Sequence, residues 1–284
     1  MCATIRSALA AGLLMIAGLP ALAADGPPEA AEPTTDAAEG AGTATGDSPA
    51  PAAGAGSGSP FSAIEARGRT IFEHDRAAAV ATDVAMAQRS FKRDRRVRGW
   101  LTEARDGGIV VTFIDEAPNA LYRVLVSAAG EPSPLLPLET PAPLSAFEAG
   151  AATARRLALE SSFQPCSKTY NTVVLPEPSS DDSWIVYLLP GTTRHNEVPI
   201  GGTYRVEVKE GAVAGQRAFT RSCIVLGRGP DVAGMAVTHL LDPTPTEAHV
   251  HWSLWAETPM YVSTQQGLWA IEQGKVRPVS DEAD

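Results

Sequence analysis

YNTVVL (170–175), WIVYLL (184–189) and TYRVEVK (203–209) are the stretches on which the fold class turns. β-branched and aromatic residues crowd these runs, and turn-forming pairs such as Gly201-Gly202 and Glu210-Gly211 punctuate them, so each reads as a short strand. Further strands are predicted near 216–226, 235–240, 249–255, 260–263 and 268–272, with Gly227-Arg228-Gly229-Pro230 and Gln273-Gly274 between them. Helical patterns do not alternate with these strands, so the expectation is antiparallel sheet rather than a parallel doubly wound fold.

Working outward toward the amino end, residues 144–161 read as a helix. Ser145 and Glu148 form a capping-box pair, and Leu144, Phe147, Ala151, Ala154, Leu157 and Ala158 share one face. The Pro-rich run 131–143 reads as an irregular connection. Strands near 100–102, 109–114 and 121–126 are separated by Asp106-Gly107-Gly108 and Pro118-Asn119, the pattern of a small meander. A first helix is predicted over 61–87, with Ser62 and Glu65 as a capping box, apolar positions at Phe61, Ile64, Ile71, Phe72, Ala78, Ala79 and Met86, and Arg69, Glu73 and Arg76 turned to water. The expected architecture is therefore α+β: an N-terminal helix and small antiparallel meander, a second helix, then a larger antiparallel sheet. Residues 61–162 and 163–280 together read as one continuous domain, and no repeat of 20–50 residues suggests a solenoid or propeller.

The first 24 residues read as a secretory signal peptide: Arg6 ahead of an apolar run over 8–19, then Ala21-Leu22-Ala23 as a cleavage motif. Residues 25–60 consist almost wholly of Ala, Gly, Pro, Ser, Thr, Asp and Glu, which predicts a disordered acidic tether. Localisation is thus expected to be periplasmic or secreted after cleavage, with no membrane span remaining. In an oxidising compartment the two cysteines left, Cys166 and Cys223, are expected to pair. The chain carries a net charge of −10, of which the segment after residue 60 holds −5; that balance argues against nucleic acid as a partner. The basic run Arg89, Lys92, Arg93, Arg95, Arg96 and Arg98 is read as a solvated loop pairing with the acidic tether.

Catalytic signatures are absent from the sequence: it contains no Gly-x-Ser-x-Gly, Ser-x-x-Lys, His-Glu-x-x-His, Walker or dinucleotide glycine motif. The strongest constellation is Glu247-Ala-His249-Val-His251. On a strand over 247–255, Glu247, His249, His251 and Ser253 would share one face, with His239 or Asp242 near enough to complete a divalent-metal site such as zinc. A solvated strand face explains the same alternation, and then no cofactor is expected. His74-Asp75 and His195 read as surface or capping residues. The aromatic-rich carboxyl half, with Trp184, Tyr187, Trp252, Trp255 and Trp269, reads mainly as core, and Arg194 and His195 in the polar loop after Pro190 are the candidate binding residues. The leading expectation is an exported envelope protein that binds a partner or ligand, a periplasmic protein or glycan, without catalysis. The alternative is a metal-dependent hydrolase built on Glu247, His249, His251 and His239.

Overall fold

The computed structural model describes residues 59–178 and 182–280, with side chains left undescribed at Thr140 and Pro141. The leader and all but the last two residues of the tether lie outside the described residues. What is described is a mixed α+β structure with four helices and mainly antiparallel sheets.

Helix α1 (Ser62–Ala87) is followed by the short α2 (Arg89–Arg93). A four-stranded meander comes next: β1 (Gly99–Arg105), β2 (Gly108–Ile114), β3 (Ala120–Ser127) and β4 (Leu136–Ala142), in that order across the sheet. β4 pairs with β3 through Arg123↔Leu136 and Tyr122↔Pro137, so the Pro-rich run is not wholly irregular. It is an edge strand, where a proline with no N–H to donate is tolerated. Inside the basic run, Arg96 clamps Asp94 through Nε at 2.9 Å and Nη2 at 2.7 Å, so part of its charge is neutralised locally.

Helix α3 (Ala146–Glu160) forms as its sequence predicts. Ser145 Oγ accepts the Glu148 N–H, and Glu148 Oε2 accepts the Ser145 N–H. The same carboxylate also accepts from Thr112 and Arg123 of the meander, tying the helix to that sheet. The matching pair on α1 does not form. Glu65 instead accepts the Val276 N–H and the Lys275 ammonium, both at 2.9 Å, and so pins the helix to the last strand of the chain.

The second sheet is β5 (Tyr170–Pro176), β6 (Ser183–Pro190), β8 (Tyr204–Lys209) and β9 (Ala212–Ala218), all antiparallel. All eight residues of β6 are buried. Trp184, Val186 and Leu188 face α3, whereas Ile185, Tyr187 and Leu189 face the core shared with α1 and the fourth helix. An unbroken apolar run is what burial on both faces requires. Beyond β9 the strand predicted over 216–226 is corrected: it ends at Ala218, and only β10 (Leu226–Gly227) pairs again, with β7 (Glu197–Val198).

The third sheet is β11 (Met235–Thr238), β12 (Met260–Thr264), β13 (Gly267–Glu272) and β14 (Lys275–Pro278). The expected single larger antiparallel sheet is thus two four-stranded sheets and a ribbon. Moreover β11 and β12 are parallel, joined through helix α4 (Glu247–Ala256). A parallel pair needs such a crossover, because a tight turn cannot reverse the chain twice. The hairpins at Glu210-Gly211 and Gln273-Gly274 have positive φ at both positions, which matches the right-handed twist of the strands they join.

The strand predicted over 249–255 is therefore a helix. Its polar-apolar alternation imitates a period of two, yet Glu247, Ala248, His249, Val250, His251, Trp252 and Ser253 are all buried. A helix enclosed on all sides needs no amphipathic stripe. Its crossing with α1 is close: a Cβ on Gly68 would stand 2.5 Å from Val250 Cβ and 2.7 Å from the Glu247 carbonyl oxygen, so only glycine fits there.

Candidate functional site

In a helix His249 points about 160° away from Glu247 and about 160° away from His251, which stand four apart on one side, so the face expected of all three together does not exist. Each goes to a different place. Glu247 Oε1 accepts the Tyr187 hydroxyl at 3.1 Å and lies 3.9 Å from Arg205. Burial, then the Glu247 charge, raises the Tyr187 phenol, which therefore remains a donor. His251 is completely buried, its ring edge-on to Trp252, with both ring nitrogens unpartnered among the described residues. Ser253 Oγ sits 3.1 Å from the carbonyl oxygens of Thr258 and Ile271 and donates to that pair.

His249 does meet His239. Their rings are 4.6 Å apart, edge to face. His239 Nε2 lies 2.8 Å from Asp242 Oδ2, and Arg217 binds the same carboxylate with both Nη atoms. Burial alone would raise the Asp242 carboxyl; the hydrogen bonds from Arg217 and His239 outweigh it and hold the group below the usual range. Thr246 caps α4 and donates its N–H to His249 Nδ1 at 3.1 Å, so the neutral ring carries its proton on Nε2. Burial holds His249 and His251 down to about 3, far from the ordinary titration expected of a wet strand face. Among the described residues no three or more His, Cys, Asp or Glu side chains lie where one ion would reach them. The hydrolase arrangement has thereby lost the strand geometry on which it stood.

The expected disulfide is present: Cys166 and Cys223 are bonded with Cα atoms 5.3 Å apart. It anchors the segment leading into β5. From there Ser167 Oγ donates to the Gly191 carbonyl at 2.6 Å, and the Gly191 N–H donates to the Thr169 carbonyl at 2.9 Å. Gly191 begins the polar loop that holds Arg194 and His195. Arg194 is exposed and pairs with Glu197 at 2.6 Å, while its N–H donates to Thr192 Oγ1. The His195 carbonyl accepts Arg228 Nε at 2.7 Å, and the Asn196 carbonyl accepts the Arg228 N–H at 2.9 Å. The Arg228 guanidinium in turn lies 4.4 Å over the Trp255 ring. The disulfide thus fixes one end of the loop and Arg228 the other.

Under this loop is a cavity of about 180 Å³, lined by Asp75, Thr169, Asn171, Leu189, Pro190, Gly191, Thr192, Trp252 and Trp255. Trp252 and Trp255 are one turn apart on α4, and Trp252 is locked by its Nε1–H to Thr203 Oγ1 at 2.9 Å. Asp75 and His74 are not surface residues; each is 5% exposed. His74 Nδ1 lies 2.8 Å from Thr102 Oγ1, and burial pushes its pKa down to about 4, so the ring is neutral. Asp75 Oδ1 accepts Asn171 Nδ2 at 3.0 Å; Oδ2 accepts from no described residue. Burial, opposed only by Asn171, pushes the Asp75 carboxyl up to about 6.

Sequence reasoning named the loop but missed Asp75, Asn171 and Arg228. One signal was within reach: Ile64, Gly68, Ile71, Asp75 and Ala78 follow three-to-four spacing, which puts Asp75 in the buried stripe of α1. No family model, curated protein or solved structure matches this chain.

Proposed function

We propose that this chain is an exported, non-catalytic envelope protein whose folded part, carried on the acidic tether after removal of the leader, holds a small ligand in the cavity beside Asp75. One observation carries the reading: a buried carboxyl with an unused oxygen lines a cavity under a loop that is fastened at both ends. An acceptor that no protein group engages, facing a cavity, is free to take a donor from a bound molecule. The disulfide, and the lack among the described residues of a helix long and apolar enough to cross a membrane, support export and a life off the bilayer. The partner expected from the sequence, a periplasmic protein or glycan, then meets the exposed rim at Arg194 and His195.

Native mass spectrometry of the protein taken from the periplasm tests this. The wild type is expected to retain a small-molecule adduct that Thr192→Trp, which fills the cavity, releases. Absence of any adduct, or one equivalent of zinc bound at micromolar affinity and lost in His239→Ala with His249→Ala, would overturn the reading in favour of metal chemistry.

A further inference from the structure

We propose that the cavity takes the ammonium group of a short aliphatic amine, with Asp75 as its counter-charge and the Trp252 and Trp255 rings as its walls. The inference rests on reading this cavity as the binding site and adds the class of ligand.

Charge decides the class of ligand. Every element around Asp75 contributes neutral groups. His74, its neighbour on α1, is a neutral ring engaged with Thr102. The segment before β5 supplies Thr169, β5 supplies Asn171, β6 supplies Leu189 and Pro190, the loop supplies Gly191 and Thr192, and α4 supplies the two tryptophans. The nearby arginines are already committed. Arg228 is held by the carbonyls of His195 and Trp255 and by the Trp255 ring, and Arg155 Nε binds Thr172 Oγ1 at 3.1 Å. Asp75 is thus a buried carboxylate with no cationic partner, in a protein where Glu65, Asp94, Glu148 and Asp242 each have one.

An anion entering the cavity meets a like charge in a medium where charges are poorly screened. A neutral hydroxyl would satisfy Oδ2 but leave the charge uncompensated. An ammonium group does both, and the Trp252 and Trp255 side chains supply apolar wall for its carbon chain. About 180 Å³ admits a chain of a few carbons and no sugar ring with its hydration.

The test is titration of the exported protein with n-butylammonium, 1-butanol and butyrate, read at the amide resonances of Gly191 and Thr192. At pH 8 n-butylammonium is expected to shift both to saturation, at least tenfold more tightly than either other probe. Binding should weaken at least tenfold at pH 4.5, where Asp75 is protonated, and at least tenfold in Asp75→Asn at pH 8. The pH arm follows the wild type stepwise from pH 8 to 4.5 with the folded dispersion of its amide spectrum as the control, so a fall in affinity through pH 6 with the fold intact decides the matter even where the variant folds poorly. Equal or tighter binding of butanol or butyrate, or butylammonium binding indifferent to pH and to Asp75→Asn, overturns the ammonium class and leaves the cavity as a binding site for another ligand. No response to any probe overturns the ammonium class as well; the binding reading itself then stands or falls on the retained adduct and its loss in Thr192→Trp.

Discussion

The knot at His239, Asp242 and His249 and the cavity at Asp75 are two polar places in one protein, and they differ in what is left over. In the knot, Arg217 and His239 bind the Asp242 carboxylate at both oxygens and Thr246 binds His249 Nδ1, so the acid has its cation within the protein. In the cavity, Asn171 takes one oxygen of Asp75 and nothing described takes the other. The knot drew attention in the sequence because histidines are conspicuous. The cavity is where an acid without a cation meets open space, and both are what binding requires.

The largest expected effect is that of acid on the sealed imidazoles, of which His249 belongs to the knot. His74, His249 and His251 are neutral when folded, with pKa values of about 4, 3 and 3, and regain a pKa near 6.5 on unfolding. Their contribution is complete above pH 6.5 and is lost as pH falls. Asp75 works with the opposite sign: raised to about 6 in the folded protein, it favours the folded state below pH 4 and loses that contribution as pH rises through 6. Near pH 5 the unfolded chain holds about three of these protons and the folded protein about one, so stability falls by about 3 kcal/mol for each unit of pH lowered. Urea unfolding at pH 7.5, 5.5 and 4.5 measures it, and a flat profile would mean that the imidazoles are not sealed.

Next in size is the disulfide, whose Cys166 end leads to the cavity loop and whose Cys223 end lies between Ser222 and Ile224, beside His239 and His249. Replacing Cys166 and Cys223 by serine opens a loop spanning 57 residues and is expected to cost about 4 kcal/mol. The sharper readout is local. Hydrogen exchange at Gly191 should speed up more than exchange at His249, because only the former hangs from the Cys166 segment through Ser167 and Thr169.

The smallest effect separates two histidines of one helix. His251→Leu removes an imidazole that bonds to nothing described, so stability should stay level or rise by about 1 kcal/mol. His249→Leu strips the Thr246 N–H of its acceptor and should cost about 1–3 kcal/mol. Equal losses in the two would show that His251 has a partner after all.

Some of this was legible in the residues themselves. Helix α3 was fixed by Ser145 and Glu148 through two reciprocal hydrogen bonds within one turn. The burial of β6 on both faces followed from WIVYLL having no polar member, and the disulfide from two cysteines left to pair. Other features were settled only by distant parts of the chain. The alternation of 247–255 is compatible with a strand or with a fully enclosed helix, and packing against Gly68 of α1 and against β12 and β13 selected the helix. Glu65 abandoned its own helix cap because β14, more than two hundred residues later, offered it a backbone N–H and an ammonium group. The Asp75 cavity draws on α1, β5, β6, the loop after Pro190 and α4, elements whose approach no local pattern encodes. Local hydrogen-bond geometry and burial periodicity act within a turn or a strand and can be read from sequence; the unused oxygen of Asp75 is a property of what five separate segments fail to supply when they meet.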